Sequence, residues 1–206
     1  LLILWGVDLG ILLTFFLIFG SEALETFTIV LAILSSIILI RLFFLKASLP
    51  YFNIDFADLW KGSLPPKILF FGLVGIFFLT LGEILVEGGY NPQLLEEFKS
   101  FVKISGNIVG ALIIIGLQYI YYLLEILTVN FIYLSAKSLY NQKIAVGYVA
   151  IAWGFLHILN FFKVGFINAM LLATYMVFLS LVLYISAWKG KSMKIPIILW
   201  LIQVII

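Results

Sequence analysis

The sequence predicts an all-α fold, a polytopic transmembrane helix bundle of about seven spans. Three observations predict it. Hydrophobic residues make up 65% of the 206-residue chain and charged residues 11%, whereas charged residues alone make up about 25% of an ordinary soluble domain. The apolar residues are gathered in blocks, most of them close to the ~20 residues of helix that cross a hydrocarbon core. Charges, Pro and Gly collect between the blocks, as they do where spans end at an interface.

Taken in order, the blocks run Leu1–Phe19, Phe27–Leu45, Ile68–Val86, Ile108–Ala136, Ile144–Phe162, Phe166–Trp188 and Ile195–Ile206. The first has neither a basic leader nor a small-residue cleavage site, so it reads as a span rather than a signal peptide. The fourth is too long: roughly 30 residues at 1.5 Å each exceed a ~30 Å core, so this helix tilts, breaks or protrudes. The last is too short to cross unless it extends beyond its own bounds. Between the second and third blocks, Lys46–Lys67 mixes aromatics, acids and prolines, which suits an interfacial loop with a short helix after Phe56. Between the third and fourth, Leu94, Leu95, Phe98, Phe101 and Val102 recur at helical spacing against Glu96, Glu97 and Lys99. That segment is expected to be an amphipathic helix on the membrane surface, a connector covering the bundle. The whole chain reads as a single integral membrane domain, with N-terminal spans and loops over 1–103 and a core over 104–206.

Basic residues orient it. Arg41, Lys46, Lys61, Lys67, Lys137, Lys143, Lys189, Lys191 and Lys194 fall on one side, and Lys99, Lys103 and Lys163 on the other. Such an asymmetry places the richer side, and with it the N-terminus, in the cytoplasm. The bases form no dense run, so nucleic acid is excluded as a partner. The absence of Cys removes disulfides, thiol nucleophiles and Cys-ligated metals. With a single His, a zinc site of three or four protein ligands cannot be assembled at one depth, and no cofactor is implied.

A charge inside a span costs roughly 2.5 to 3.5 kcal/mol on insertion scales, so each needs a reason. Glu83 lies within reach of an interface, and Asp8 either faces the bundle, bonded to a hydroxyl or amide, or lies at an interface if the chain begins earlier. Glu125 sits near the middle of the fourth block with Tyr122 and Gln118 on about the same helical face. His157, in the next block, has Asn160 nearby. Counted from the turn the two blocks share, Glu125 and His157 lie at depths of about 18 and 21 Å. Adjacent antiparallel helices pack side by side, so a pairing of the two is expected.

The order of these features resembles the CPBP family, the CAAX prenyl protease and bacteriocin-processing membrane proteins also known as the Abi type. The resemblance covers about 104–206 and rests on "YYLLEILTVNFIYLSAKSLY", "AIAWGFLHILN" and the "KIP" step that opens the last block. The family's paired glutamates fall on Leu124 and Glu125, and its arginine falls on Val129. Its Phe-x-x-x-His becomes Trp153 and His157, and its last polar pair becomes Trp200 and Val204. The resemblance therefore implies a degenerate member. Glu125 and His157 are the candidate catalytic residues of a remnant site, with Tyr122, Gln118 and Asn160 as polar neighbours. An intramembrane hydrolase must hold and deprotonate a water and stabilise an oxyanion, and most groups for those tasks are replaced here. The expected function is that of a membrane scaffold, subunit or partner-binding protein. Its partners would be the bilayer and another membrane protein or a lipidated peptide. The alternatives are an active CAAX-type endopeptidase using Glu125 and His157, and a small carrier subunit.

Overall fold

The computed structural model describes residues 10–11, 13–14, 26–90, 92–160 and 165–206. Within these every regular element is helical. Seven α-helices follow one another: α1 (Phe27–Ser48), α2 (Pro66–Glu87), α3 (Gln93–Ser105), α4 (Ile108–Leu139), α5 (Gln142–Leu156), α6 (Phe166–Gly190) and α7 (Lys194–Ile205). Three short 3-10 helices, Leu49–Phe52, Phe56–Trp60 and His157–Asn160, complete the described elements.

Five helical stretches, built on α1, α2, α4, α5 and α6, are long and apolar enough to cross a membrane. The first predicted block lies almost wholly outside the described residues, and α7, with 12 residues, spans about 18 Å at 1.5 Å per residue. Among the described residues, five stretches of spanning length thus stand beside the about seven spans expected. What the helices leave uncovered also points to lipid. Phe71 is 67% exposed, Leu85 is 83% exposed, and Phe70, Phe77 and Phe78 are similarly bare. A soluble monomer rarely exposes apolar patches of that extent.

Local chemistry sets the helix ends. Pro66 opens α2, where a missing N–H is no loss. Gly88 and Gly106 close α2 and α3 with positive φ, the left-handed step that glycine takes without strain. Asn141 caps α5, its side chain accepting from the amides of Lys143 and Ile144, and the side chain of Asn107 accepts from Gly110 at the start of α4. α3 is the amphipathic connector expected from its spacing. α4 is one unbroken helix of 32 residues, so its excess length is taken up by tilt or protrusion. The fifth block differs from expectation, because α5 ends at Leu156 and continues as a 3-10 turn from His157.

The described chain divides into two compact units. The first comprises Leu1–Ser48, Asn91–Glu125 and Val204–Ile206; the second comprises Leu49–Tyr90 and Ile126–Gln203. The division falls within α4, between Glu125 and Ile126. In the second unit α6 packs against both α5 and α2. Its buried face carries Ala169, Ala173, Ser180 and Ala187, and small side chains let membrane helices approach closely.

Candidate functional site

In the first unit, α1 buries one stripe, Ile33, Ile37, Arg41 and Leu45. The spacing of four places all of them on one face, so a guanidinium sits in an otherwise aliphatic seam. Arg41 is 1% exposed. Its guanidinium lies over the ring of Tyr121 at 4.7 Å from the centroid, and Nη2 donates to the Tyr121 hydroxyl at 3.5 Å. Tyr121 stands one helical turn before Glu125, which is 4% exposed. The unit thus holds a buried cation and a buried carboxylate, one stacked on Tyr121 and the other four residues along from it. A desolvated charge survives in a bundle when aromatic faces, hydroxyls or opposite charges replace its water. The charge count places Arg41 with the bases of one side and says nothing of its burial. The signal was present in the i, i+4 series that Arg41 shares with three aliphatic residues.

Tyr122, on the next face of α4, is also buried. Its hydroxyl donates to Glu97 Oε1 and accepts from Gln93 Nε2 at 2.7 Å. Gln93 also donates to Glu97 Oε1 at 2.8 Å, and Gln118, one turn before Tyr122, hydrogen-bonds to it as well. The polar stripe of α4 is therefore met by the polar edge of α3. Tyr122→Phe should loosen α3 by about 0.6 to 1.7 kcal/mol, the range for hydrogen bonds between membrane helices. Faster amide exchange confined to residues 93–105 would register it, and unchanged exchange there would remove Tyr122 as the docking group.

His157 belongs to the second unit and stands at the C-terminal cap of α5. Its Nδ1 lies 2.9 Å from the Trp153 carbonyl. A carbonyl can only accept, so Nδ1 donates in this contact. Trp153 is fully buried. Its ring meets the imidazole edge-on at 6.2 Å and the Trp200 ring at 5.0 Å. The other positions where the resemblance places polar groups, Leu124, Val129, Trp200 and Val204, are buried apolar side chains.

Glu125 falls in the first unit and His157 in the second. Tyr122 and Gln118 join Glu97 and Gln93, as described, while the side chain of Asn160 and all of Asp8 lie outside the described residues. Glu83 lines a cavity of about 760 Å³ between α2 and α6, with Asn168, Thr174 and Tyr175. Among the described residues no three His, Asp or Glu side chains gather as a metal site would require.

Asn130 was legible as a polar residue but not as a junction. It is fully buried in the second unit. Its amide nitrogen donates to the carbonyls of Leu59 at 2.7 Å and Met193 at 3.1 Å, and its oxygen accepts from Tyr184 at 2.8 Å. One side chain thereby ties the 3-10 helix Phe56–Trp60 and the α6–α7 turn to the centre of the unit. The amide of Met193 adds a bond to the Lys61 carbonyl at 2.8 Å. Gly62, at φ 118°, lies so close to Ser192 that a Cβ there would come within 2.6 Å of its backbone. No family model, no curated protein and no solved structure matches the chain.

Proposed function

We propose that the chain is a CPBP-like membrane protein without peptidase chemistry, acting as a scaffold or subunit that holds another membrane protein or a lipidated peptide. The observation that carries this reading is the burial of Leu124, Val129, Trp200 and Val204. At these positions the family resemblance requires a carboxylate, a guanidinium, an imidazole and an amide. Aliphatic side chains can neither deprotonate a water nor hold an oxyanion, and an indole, which only donates, cannot take a proton from water. The charge asymmetry supports a cytoplasmic N-terminus. Setting the buried Arg41 aside leaves eight bases against three, which keeps the same sign.

A second reading, an active endopeptidase, is favoured by two observations: the burial of Glu125 and the Nδ1 contact to the Trp153 carbonyl that orients the His157 ring. The purified chain in lipid nanodiscs separates the two. On the scaffold reading it cleaves neither a prenylated nor a membrane-spanning peptide above the level of Glu125→Gln. It also co-purifies with a membrane partner in fixed ratio, and both Glu125→Gln and His157→Ala leave that ratio unchanged. Cleavage lost in both variants would establish the peptidase instead.

A further inference from the structure

A cavity of about 480 Å³ opens in the second unit where α4 and α6 end. Lys61, Lys137 and Lys191 line it together with Asp58, Ser138 and Ser192. Asp58 is occupied by its own loop. One oxygen pairs with Lys61 at 3.4 Å and the other accepts from the Asp55 amide at 3.0 Å. Three ammonium groups against one carboxylate leave an excess of two positive charges. Among the described residues, neither Lys137 nor Lys191 is in an ion pair.

A lysine near a helix C-terminus ordinarily complements the helix dipole. Here two such lysines, from different helices, face one concave space together with a third. Ser192 adds a donor, because its oxygen accepts from the Lys194 amide at 3.3 Å and leaves the hydroxyl proton for another acceptor. The walls are held in place by the Asn130 bonds to Leu59 and Met193 and by the approach of Gly62 to Ser192. Phe52, Leu134 and Trp188 form the apolar part of the lining.

The geometry points to a binding site for the phosphoryl headgroup of an anionic phospholipid. Lysine binds phosphoryl oxygens as a compact point charge with three rotatable donors. The ends of membrane-spanning helices place the cavity at headgroup depth, where Trp188 is also at home. Basic pockets between spanning helices are a known form of anionic-lipid recognition. The site is independent of which reading of Glu125 and His157 holds.

The test uses the full chain in phosphatidylcholine nanodiscs and a phosphatidylglycerol labelled on its acyl chain. Binding should be saturable, displaced by unlabelled phosphatidylglycerol, and barely affected by added phosphatidylcholine or millimolar inorganic phosphate. Lys137→Gln with Lys191→Gln should weaken it about 25-fold, roughly fivefold per charge removed near the headgroup plane. Lys137→Arg with Lys191→Arg should retain it. The pair Lys99→Gln and Lys103→Gln on α3, which removes the same charge elsewhere, should change it less than about twofold. If the double variant does not fold, each single substitution should still lose about fivefold. An equal loss in the α3 pair, or equal competition by phosphatidylcholine, would overturn the site as a specific one. Competition by inorganic phosphate matching that of phosphatidylglycerol would overturn the lipid assignment in favour of a free anion.

Discussion

Asn130→Ala should destabilise the protein by about 2 to 4 kcal/mol, at the upper end of what one uncharged polar residue contributes in a membrane bundle. The substitution removes three hydrogen bonds at once and leaves the Leu59 carbonyl, the Met193 carbonyl and the Tyr184 hydroxyl without that partner in a buried place. A single bond between membrane helices averages about 0.6 kcal/mol, because a polar group in the unfolded but inserted chain finds other partners. The Leu59 and Met193 carbonyls belong to segments outside the long spans, and their burial is created by folding. Their desolvation is closer to the 1 to 3 kcal/mol of an unsatisfied buried group. Asn130→Asp distinguishes donation from size. It keeps the shape but turns a carboxylate oxygen toward two carbonyl oxygens, so it should be at least as damaging as Ala. Thermal unfolding of the purified protein in detergent measures both variants. A Tm for Asn130→Asp equal to the parent's would mean that the amide donations carry little stability.

Gly154→Ala should separate α5 from α6, costing roughly 1 to 3 kcal/mol as overpacking in a close-packed interior does. A Cβ at this position would meet Val177 at 2.3 Å from Cγ2, 2.7 Å from the backbone nitrogen and 2.8 Å from Cα. The side-chain contact can be relieved and the backbone contacts cannot. Adding Val177→Ala should therefore restore part of the lost stability and not all of it. Gly72→Ala is the control, because its tightest contact is a terminal methyl of Leu199 and none of its close contacts is backbone. It should cost less than about 1 kcal/mol, since only a rotamer must change. Full rescue by Val177→Ala would show that the helices touch there through side chains alone.

The legible parts of the fold are those whose cause is local. The amphipathic α3 and the short helix after Phe56 each follow from residues within a turn of the feature itself. The 3-10 turn at His157 carried no comparable signal, and an apolar run was read through it. The polar stripe of α4 is legible in Gln118, Tyr122 and Glu125, but the partners of Tyr122 are not, because Glu97 reads as the solvated edge of a surface helix. Arg41 could have been recognised from its register with Ile33, Ile37 and Leu45.

The sequence by itself determined that the chain enters a membrane, and about where its helices start and stop. Transfer into hydrocarbon depends on the composition of each stretch, and capping depends on the nearest few residues. Tertiary structure alone decided which faces meet, since lipid tails are as apolar as a protein interior and hydropathy cannot separate a packed leucine from a lipid-facing one. The same reason governs the polar groups. Asn130 takes carbonyls 71 and 63 residues away in the chain, and Arg41 takes a ring 80 residues away. Such partners have no periodicity to announce them and exist only once the helices have packed.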